Sequence, residues 1–591
     1  MFEAPTVAAL GERIDQALRA GRGLAAPALV KTPRVGEIPL SFAQERLWFL
    51  AQLDPDSASY VVPGAVRLEG RLDVDALSRA LAEIVRRHEV LRTTFATVDG
   101  RPVAVVHDGS DLTLSLTRWT SMPAEERDQA IRDLSAAEAR RPFDLASGPM
   151  IRARLIQLDE TTHVLVLMMH HIVSDGWTRG VLNHELALLY QAFTAGAPSP
   201  LPELPVQYAD YAAWQRRWLT GDVLDRQLAY WKKALEGAPR TLDLPTDRPR
   251  PRVSAHKGAR TFFSYPRDLS RALEALCRRE GVTLFMALLA AFDVLLHRYS
   301  GQRDLLVGSP IAGRTHAETE PLIGFFVNTL VLRAEIDPTA PFRDLLRQVK
   351  ARSIDAYAHQ DMPFERLVQE LAPERDLARA PLFQVLFTLQ NAPREAMTLP
   401  GLTLRLLGAE SGAAKFDLSL GLTETPDGLQ GSIERSTELF DASTIDRMIA
   451  HLEVLLRAVA SDPGTPIQDL PLLPDVERDT LLTASNGVAI ELPPVHLVHA
   501  LFEAQAQKTP DAPAVVAPDG SLTFADLDRR ATQLAHRLRA LGVGPDALVG
   551  ISLDRSASTL VALLGILKAG GAYVPLDPAH PRPRLAQILD E

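Results

Sequence analysis

The sequence lacks the features that would place the protein in a membrane or an oxidising compartment. Of its 591 residues only Cys277 is a cysteine, so no intramolecular disulfide can form. No apolar run reaches the roughly 18 residues that a transmembrane helix needs, and the N-terminus has no basic-then-apolar signal pattern. We therefore expect a cytoplasmic protein that does not bind a membrane.

Positive charge is also scarce. The 63 Lys and Arg are outnumbered by 74 Asp and Glu, which gives a formal net charge of -11. Because binding to nucleic acid requires a basic face, we do not expect nucleic acid as a partner. The hydrophobic content of 46% is ordinary for a globular protein, and a chain of this length should form three or four lobes.

The most informative stretch runs from Thr162 to Gly180. Its residues 164–169 form an unbroken apolar run, which predicts a strand buried on both faces. His170 and His171 follow. If the strand continues through both, one histidine should enter the packing and the other an adjoining cleft, because strand side chains alternate. The apolar spacing after a turn at 174–176 predicts an amphipathic helix.

The two histidines are open to structural, metal-binding and catalytic interpretations. His171 and Asp175 could be two metal ligands, but no third His, Cys or carboxylate lies at a spacing that would complete the shell. We therefore predict no metal site. An imidazole held at the end of a strand is instead suited to acid–base chemistry near neutral pH.

The string HHIVSDGW at 170–177 resembles the HHxxxDG signature of the condensation domains of nonribosomal peptide synthetases. Further motifs similar to those of that family occur in the expected order. They are SFAQERLWFL at 41–50, RHEVLRTTF at 87–95, YADYAAWQR at 208–216, IGFFVNTL at 323–330, HQDMPFE at 359–365 and APLFQVLF at 380–387. The resemblance covers about residues 39–475.

The flanking regions resemble neighbouring parts of such synthetases. Residues 1–18 are similar to the last helix of a peptidyl carrier domain, and residues 19–38 are predicted to be a linker. After a second predicted linker at 476–495, residues 496–591 resemble the start of an adenylation domain, with LKAGGAYVPLD at 567–577 similar to its second motif. The phosphate loop of that family is not reached, so we expect an adenylation fragment without a complete ATP site.

The resemblance implies a mixed α/β fold in which two lobes, each like chloramphenicol acetyltransferase, form a V around a central tunnel. The lobes would be residues 39–235 and 259–475, joined by a crossover at 236–258 that is dense in Pro and charge. The implied reaction is peptide bond formation. The amine of an aminoacyl group on a downstream carrier attacks a peptidyl or aminoacyl thioester on an upstream carrier.

The resemblance also implies partners and cofactors. The partners would be the two carrier domains and the adjoining synthetase modules. The 4′-phosphopantetheine arm belongs to the carriers, and the condensation domain itself is expected to bind no cofactor. ATP and Mg²⁺ would serve only a complete adenylation domain.

By position in the motif, His171 would act on the amine, either as a general base or as a hydrogen-bonding positioner. His170 is expected to be structural. Gly176 would permit the tight turn and leave a backbone N–H near the reacting centre. Asp175 would hold the loop through an ion pair with Arg92, because a buried carboxylate needs a fixed cation.

The resemblance also suggests roles for two further residues, and it leaves several functions possible. Trp177 is assigned to the scaffold, and the fifth motif places Asn328 near the tunnel, as a catalytic residue or as a satisfied turn residue. An epimerisation domain shares the HHxxxDG core. An acyltransferase for free small molecules and a non-catalytic recruiting module are also compatible with the pattern. The opening motif and the SDGWT string resemble the subtype that joins an L-donor to an L-acceptor.

Overall fold

A computed structural model of the protein describes residues 26–109, 112–372, 376, 378–390, 399–407, 412–485 and 497–590. The chain divides into two compact units, Met1–Glu477 and Arg478–Glu591. The predicted carrier helix at 1–18 lies outside the described residues, as do parts of both predicted linkers. The described part of the first linker packs against the rest of the first unit, since Trp214 Nε1 donates to Pro27 O at 2.6 Å.

The strands of the described residues are β1 (Ile38–Pro39), β2 (Val61–Gly70), β3 (Thr93–Val98), β4 (Arg101–Val106), β5 (Ser115–Arg118), β6 (Ile151–Gln157), β7 (Thr162–His170), β8 (Gly258–Pro266), β9 (Asp304–Ile311), β10 (Asn328–Glu335), β11 (Val385–Gln390), β12 (Leu402–Leu407), β13 (Leu418–Thr425), β14 (Gly428–Ser436), β15 (Pro513–Ala517), β16 (Gly520–Thr523), β17 (Leu548–Ile551) and β18 (Ala572–Pro575).

The helices are α1 (Phe42–Leu53), α2 (Val74–Arg87), α3 (Ala124–Ala139), α4 (Thr178–Thr194), α5 (Tyr208–Trp218), α6 (Gly221–Ala234), α7 (Arg267–Glu280), α8 (Leu284–Ser300), α9 (Phe342–Ala358), α10 (Phe364–Leu371), α11 (Ala442–Ser461), α12 (Asp475–Ser485), α13 (Val498–Lys508), α14 (Phe524–Ala540), α15 (Ala557–Ala569) and α16 (Arg582–Asp590).

The first lobe is built on a five-stranded sheet with the order β12-β2-β7-β6-β5. Strand β7 is central, and its residues 164–166 and 168–170 are buried, which confirms the predicted two-sided burial. Helix α2 begins after the N-cap Asp73 and buries one face that includes Leu77, Leu81 and Ile84.

The second lobe is built on a six-stranded sheet with the order β10-β9-β11-β13-β14-β8. Helix α8 is buried from Met286 to His297, and it begins at the N-cap Thr283 and ends at Gly301, whose φ of 73° suits glycine. Within the described ranges, no single helix is long and apolar enough to cross a membrane. Taken together, α7 and α8 would suffice by length and composition, but they are bent by 104°.

The two lobes share parts of the chain. Strand β12 pairs with β2 of the first sheet, with Leu404 opposite Leu68. Leu322 and Ile323 pack into the hydrophobic core of the first lobe. Two segments of the range predicted to form the second lobe, β12 and the residues around Leu322 and Ile323, thus belong to the first lobe. We call residues 312–327 the crossing segment, because they lead from β9 into the first lobe and back to β10.

The unit Arg478–Glu591 contains α13 to α16 and two small sheets, β15-β16 and β17-β18. Helix α14 begins at the N-cap Thr523, whose hydroxyl accepts the N–H of Asp526 at 3.1 Å. Its Leu527 and Ala531 pack into a core with Leu564 of α15. This unit therefore has a small hydrophobic core of its own.

Candidate active site

The histidine pair lies where β7 ends and a 3₁₀ turn, His171–Val173, begins. His170 N–H donates to Met150 O at 3.1 Å, and His171 N–H donates to Tyr60 O at 2.8 Å. Strand alternation does not separate the two side chains, because the strand stops at the first of them. Both imidazoles border the same cavity.

His170 is the more buried of the two, with 5% of the residue exposed. Its Nδ1 accepts the N–H of Ile172 at 3.1 Å, so in the neutral ring the proton is on Nε2. Burial, followed by the charges of Lys415 and Arg152, lowers the pKa of His170 to about 3. A neutral imidazole that organises the turn is consistent with the structural role predicted for it.

His171 presents the opposite nitrogen. Its Nδ1 lies 2.9 Å from the carbonyl oxygen of Ser174, which can only accept, so Nδ1 carries the proton and Nε2 has a lone pair. The ring packs against Phe325 with 5.3 Å between centroids. Burial, followed by the charge of Lys415, lowers the pKa of His171 to about 3. No residue in the described part of the chain hydrogen-bonds Nε2, which is therefore available to a molecule in the cavity.

Asp175 holds the loop that follows the histidines. Its Oδ1 accepts the N–H and the hydroxyl of Thr178 at 2.8 and 2.9 Å, and Oδ2 accepts the N–H of Phe326 at 3.0 Å. Arg314 Nη2 lies 3.3 Å from Oδ1, and 2% and 0% of the two side chains are exposed. Since Phe326 and Arg314 belong to the crossing segment, Asp175 ties the histidine loop to that segment.

Arg92 is not the partner of Asp175, and this part of the prediction is wrong. Its Nη1 donates to the carbonyl oxygen of His107. The expectation that a buried Asp175 needs a fixed cation is correct, but the cation is Arg314, 139 positions away in sequence. A charge pattern in the sequence cannot reveal a pair that only the crossing segment brings together.

The first two residues of the RHEVLRTTF motif are buried and hydrogen-bonded. Arg87 Nε donates to Glu185 Oε1 at 2.8 Å, and His88 Nε2 lies 2.9 Å from the other carboxylate oxygen. His88 Nδ1 also accepts the N–H of Ile323 at 3.3 Å. The motif therefore links α2 to α4, the helix that follows the histidine loop, and to the crossing segment.

Gly176 and Trp177 both border the cavity. The φ of Gly176 lies outside the left-handed region, and a Cβ at this position would meet no heavy atom within 4 Å. The turn does not require glycine, contrary to the prediction. The open space beside Gly176 is available to a molecule bound in the cavity. Trp177 Nε1 donates to Glu320 O at 2.9 Å, which joins the loop to the crossing segment as a scaffold residue would.

Of the two roles predicted for Asn328, catalytic residue or satisfied turn residue, its contacts match the second. Its Nδ2 donates to the carbonyl oxygens of Gln360 and Met362, both at 2.7 Å, and its Oδ1 accepts the N–H groups of Thr329 and Phe364. All of its hydrogen-bonding capacity is used, and it is absent from the residues that border the histidine cavity. The structure thus favours the interpretation of a satisfied turn residue.

Four residues of the site were not predicted individually: Gln44, Tyr60, Phe325 and Lys415. Gln44 Nε2 donates to Ile172 O at 3.1 Å and so supports the 3₁₀ turn from α1. Gln44 and Phe325 lie within the motifs at 41–50 and 323–330, which could have directed attention to them. No motif contains Tyr60 or Lys415, and only the fold brings them to the histidines.

The cavity between the lobes has a volume of about 1560 Å³. It exceeds the ~300–1,000 Å³ of common small-molecule pockets. The first lobe contributes His171 and Gly176 to its wall, and the second lobe contributes Ile311, Lys415 and Phe416. A cavity of this size accommodates an extended substrate that reaches the histidines.

Comparison with known families agrees with this geometry. Residues 35–482 match the family model described as the condensation domain, and residues 502–591 match the model described as the AMP-binding enzyme. Malpinin synthetase of Mortierella alpina is 44% identical over 592 residues, which cover 100% of this chain and 8% of that protein. Phosphinothricin tripeptide synthetase PhsB of Streptomyces viridochromogenes is 42% identical over 602 residues, covering 100% of this chain and 50% of that protein.

Solved structures give the same result. The X-domain from teicoplanin biosynthesis has a TM-score of 0.69 and 29% identity over 76% of this chain and 100% of its own. A four-domain nonribosomal peptide synthetase bound to AMP and glycine has a TM-score of 0.75 and 26% identity over 94% of this chain and 43% of its own. The chain spans half or less of the length of the two synthetases to which its sequence is similar. It belongs to the condensation-domain family of nonribosomal peptide synthetases, and its C-terminal part is a partial AMP-binding domain.

Proposed function

We propose that this chain forms a peptide bond between two carrier-bound substrates. The amine of an aminoacyl group on a downstream carrier attacks the carbonyl carbon of a thioester on an upstream carrier. The observation that carries the proposal is the neutral imidazole of His171, which borders the cavity with a lone pair on Nε2. The Nε2 lone pair can accept a hydrogen bond from the attacking amine. This bond orients the amine nitrogen toward the carbonyl carbon.

The low pKa of His171 bears on its role. An imidazole whose pKa is lowered to about 3 is a weak base and stays unprotonated at neutral pH. An α-amino group has a pKa near 7.7–8.0, so roughly a tenth to a sixth of the acceptor is already uncharged at pH 7 without help from a base. These values support a positioning role for His171, in which it orients the amine, over full proton abstraction.

The proposed partners are an upstream and a downstream carrier domain, each presenting its substrate on a 4′-phosphopantetheine arm. The volume of the cavity and its position between the lobes support delivery of long, flexible substrates. This proposal extends to the adjoining modules of a synthetase, as the similarity to large synthetases suggests.

The test is His171→Ala, assayed by single-turnover transfer between loaded carriers, with the dipeptidyl carrier detected by mass spectrometry. We expect a loss of about 10²–10⁴-fold with an unchanged melting temperature, because the side chain lies at a cavity wall. His536→Ala, which removes an exposed histidine from α14, is the matched control. An unchanged yield from His171→Ala would rule out the assigned role.

A recruiting function is the second candidate, because the similar X-domain from teicoplanin biosynthesis has been solved as a complex with OxyB. A purely recruiting chain would show no transfer even with an intact His171. An epimerisation domain would instead introduce solvent deuterium at the α-carbon of a single carrier-bound residue. Measuring transfer and deuterium uptake on the same samples distinguishes all three functions.

We further propose that the donor and the acceptor are both L-residues. The resemblance of the opening motif and of the SDGWT string to that subtype motivates this proposal. Inversion at the donor Cα would direct its side chain toward a different part of the cavity wall and misalign the carbonyl. Matched L- and D-donors on the same carrier should therefore differ in single-turnover rate. Equal rates, or a faster D-donor, would overturn the subtype and leave peptide bond formation unaffected.

A further inference from the structure

The second lobe places one cation against the histidines. Lys415 borders the cavity, and its Nζ lies 4.2 Å above the ring centroid of Tyr60. That ring is 6.4 Å from the ring of His170, and the carbonyl of Tyr60 accepts the N–H of His171. The charge of Lys415 also contributes to the lowered pKa of both histidines. Lys415 is therefore an electrostatic neighbour of the motif.

The charge of Lys415 is not neutralised by an acidic side chain of the described residues. The carboxylate of Glu434, which acts on it, pairs with Arg260 at 2.6 Å. The neighbouring cation Arg46 has its own partner, Glu365, at 3.2 Å. A cation partly removed from water without a counter-ion is costly, so its retention beside a substrate cavity indicates a use.

The backbone around Lys415 is held in place. The N–H of Ala414 donates to His256 O at 2.8 Å, and the N–H of Asp417 donates to Gln384 O at 3.0 Å. The Asp417 carboxylate pairs with Arg250. The lysine thus projects from a fixed segment that leads into β13, which suits a preorganised electrostatic role.

We propose that Lys415 stabilises the donor carbonyl oxygen as it becomes negative during the attack. This inference rests on the proposed function. The amine nitrogen forms a bond to the carbonyl carbon, and the carbonyl π electrons move to the oxygen beside the ammonium group. When the C–N bond is complete, the electron pair on the oxygen re-forms the C=O bond as the C–S bond breaks. The sulfur takes the electrons of the C–S bond and a proton, and the nitrogen loses one proton. Lys415 keeps its proton throughout.

A different use for the cation would be to bind an acidic side chain of the substrate. Lys415 lies over the ring of Tyr60, whose carbonyl accepts the N–H of His171, which places it near the reacting centre rather than at a remote side-chain pocket. We therefore favour the carbonyl oxygen. A substrate series with neutral and acidic side chains makes the other possibility an outcome of the test.

The experiment compares Lys415→Met with Lys415→Arg in the full chain, using single-turnover transfer between loaded carriers. Removing one oxyanion donor commonly costs about 10²–10³-fold, and we expect Lys415→Met to lose that much with neutral substrates. Lys415→Arg keeps the charge and should stay within about tenfold of the wild type. Lys233→Met, which replaces an exposed lysine on α6, is the matched control and should transfer normally.

The pH profile separates this role from a structural one. Burial lowers the pKa of Lys415 to about 8, so the wild-type rate should decline above about pH 8 as the cation is lost. The groups that face Lys415 are His170, His171, Tyr60 and the two paired ions Arg46 and Glu434. Neither histidine titrates in that range. Lys415→Arg should lack the decline, because arginine stays protonated.

Three results would overturn the role proposed for Lys415, and none of them affects the proposed function as long as the wild-type chain catalyses transfer. These are an unchanged rate in Lys415→Met, a loss confined to acidic substrates, or an identical high-pH decline in Lys415→Arg. Should Lys415→Met fail to fold, the pH profile of Lys415→Arg decides. No transfer by the wild-type chain would overturn the proposed function, and this assignment with it.

Discussion

The two lobes treat their buried charges differently. In the first lobe the buried carboxylates are paired: Asp210 with Arg34, Glu185 with Arg87 and Asp175 with Arg314 of the crossing segment. In the second lobe Asp293 and Lys415 have no ion-pair partner among the described residues. Paired charges build and orient the site. Unpaired charges must either become neutral, as burial favours for Asp293, or serve a function, as we propose for Lys415.

The largest effect should come from breaking the pair below the histidine loop. Asp175→Ala leaves Arg314 buried without a counter-ion and should lower the free energy of unfolding by about 3–5 kcal/mol. Chemical denaturation measures this loss. A double-mutant cycle with Arg314→Ala should show strong non-additivity, whereas a cycle with Arg92→Ala should be additive. Additive losses with Arg314→Ala would contradict the pairing.

The second effect tests the unpaired carboxyl of the other lobe. Burial raises the pKa of Asp293 well above its usual value, and the charge of Arg352 opposes this only in part. Below about pH 4 both the folded and the unfolded state bind the proton. As the pH rises, the unfolded state ionises first, so wild-type stability falls until the folded-state pKa is reached.

Asp293→Asn removes that dependence. Its stability relative to the wild type should rise by up to about 1.4 kcal/mol for each pH unit above about 4, until the wild-type group ionises in the folded state. Thermal or chemical unfolding between about pH 4 and 8 measures the difference. Asp446→Asn replaces an exposed carboxyl on α11 and should show no such trend. A constant difference for Asp293→Asn would show that the carboxyl is ionised in the fold.

A smaller effect is expected at the turn held by Asn328. Replacement by Ala leaves two carbonyl oxygens and the N–H of Phe364 without their partner, which should cost about 1–3 kcal/mol. The transfer rate of the folded fraction should change little, because the side chain does not border the histidine cavity. Asn183→Ala on α4 serves as control and should stay within about 0.5 kcal/mol. A large rate loss with unchanged stability would restore a catalytic role.

The smallest change in stability should follow Gly176→Ala. Since the added Cβ meets nothing within 4 Å and the backbone is not left-handed, the free energy of unfolding should change by less than about 0.5 kcal/mol. The methyl group would nonetheless occupy the cavity beside the histidines and should slow transfer. Stability and single-turnover rate measured on one preparation separate these effects. A normal rate would show that substrates do not approach Gly176.

Local sequence accounts for much of the fold. The apolar spacing after the turn at 174–176 predicted a helix, and α4 (Thr178–Thr194) buries Leu182, Leu186 and Leu189, because a helix on a core must repeat its buried face every three to four residues. The unbroken apolar run before the histidines predicted β7. These features depend on residues within one or two turns of each other.

The motifs also identified the family and placed His171 at the strand end. What the sequence by itself did not determine is which distant groups meet there. Arg314 replaces Arg92 as the partner of Asp175, Asn328 holds a turn, and Lys415 lies over Tyr60. Each of these contacts joins residues far apart in sequence, and the local sequence around either residue does not indicate the contact. Only the tertiary packing decides them, because it brings a side chain to its partner irrespective of their distance in sequence.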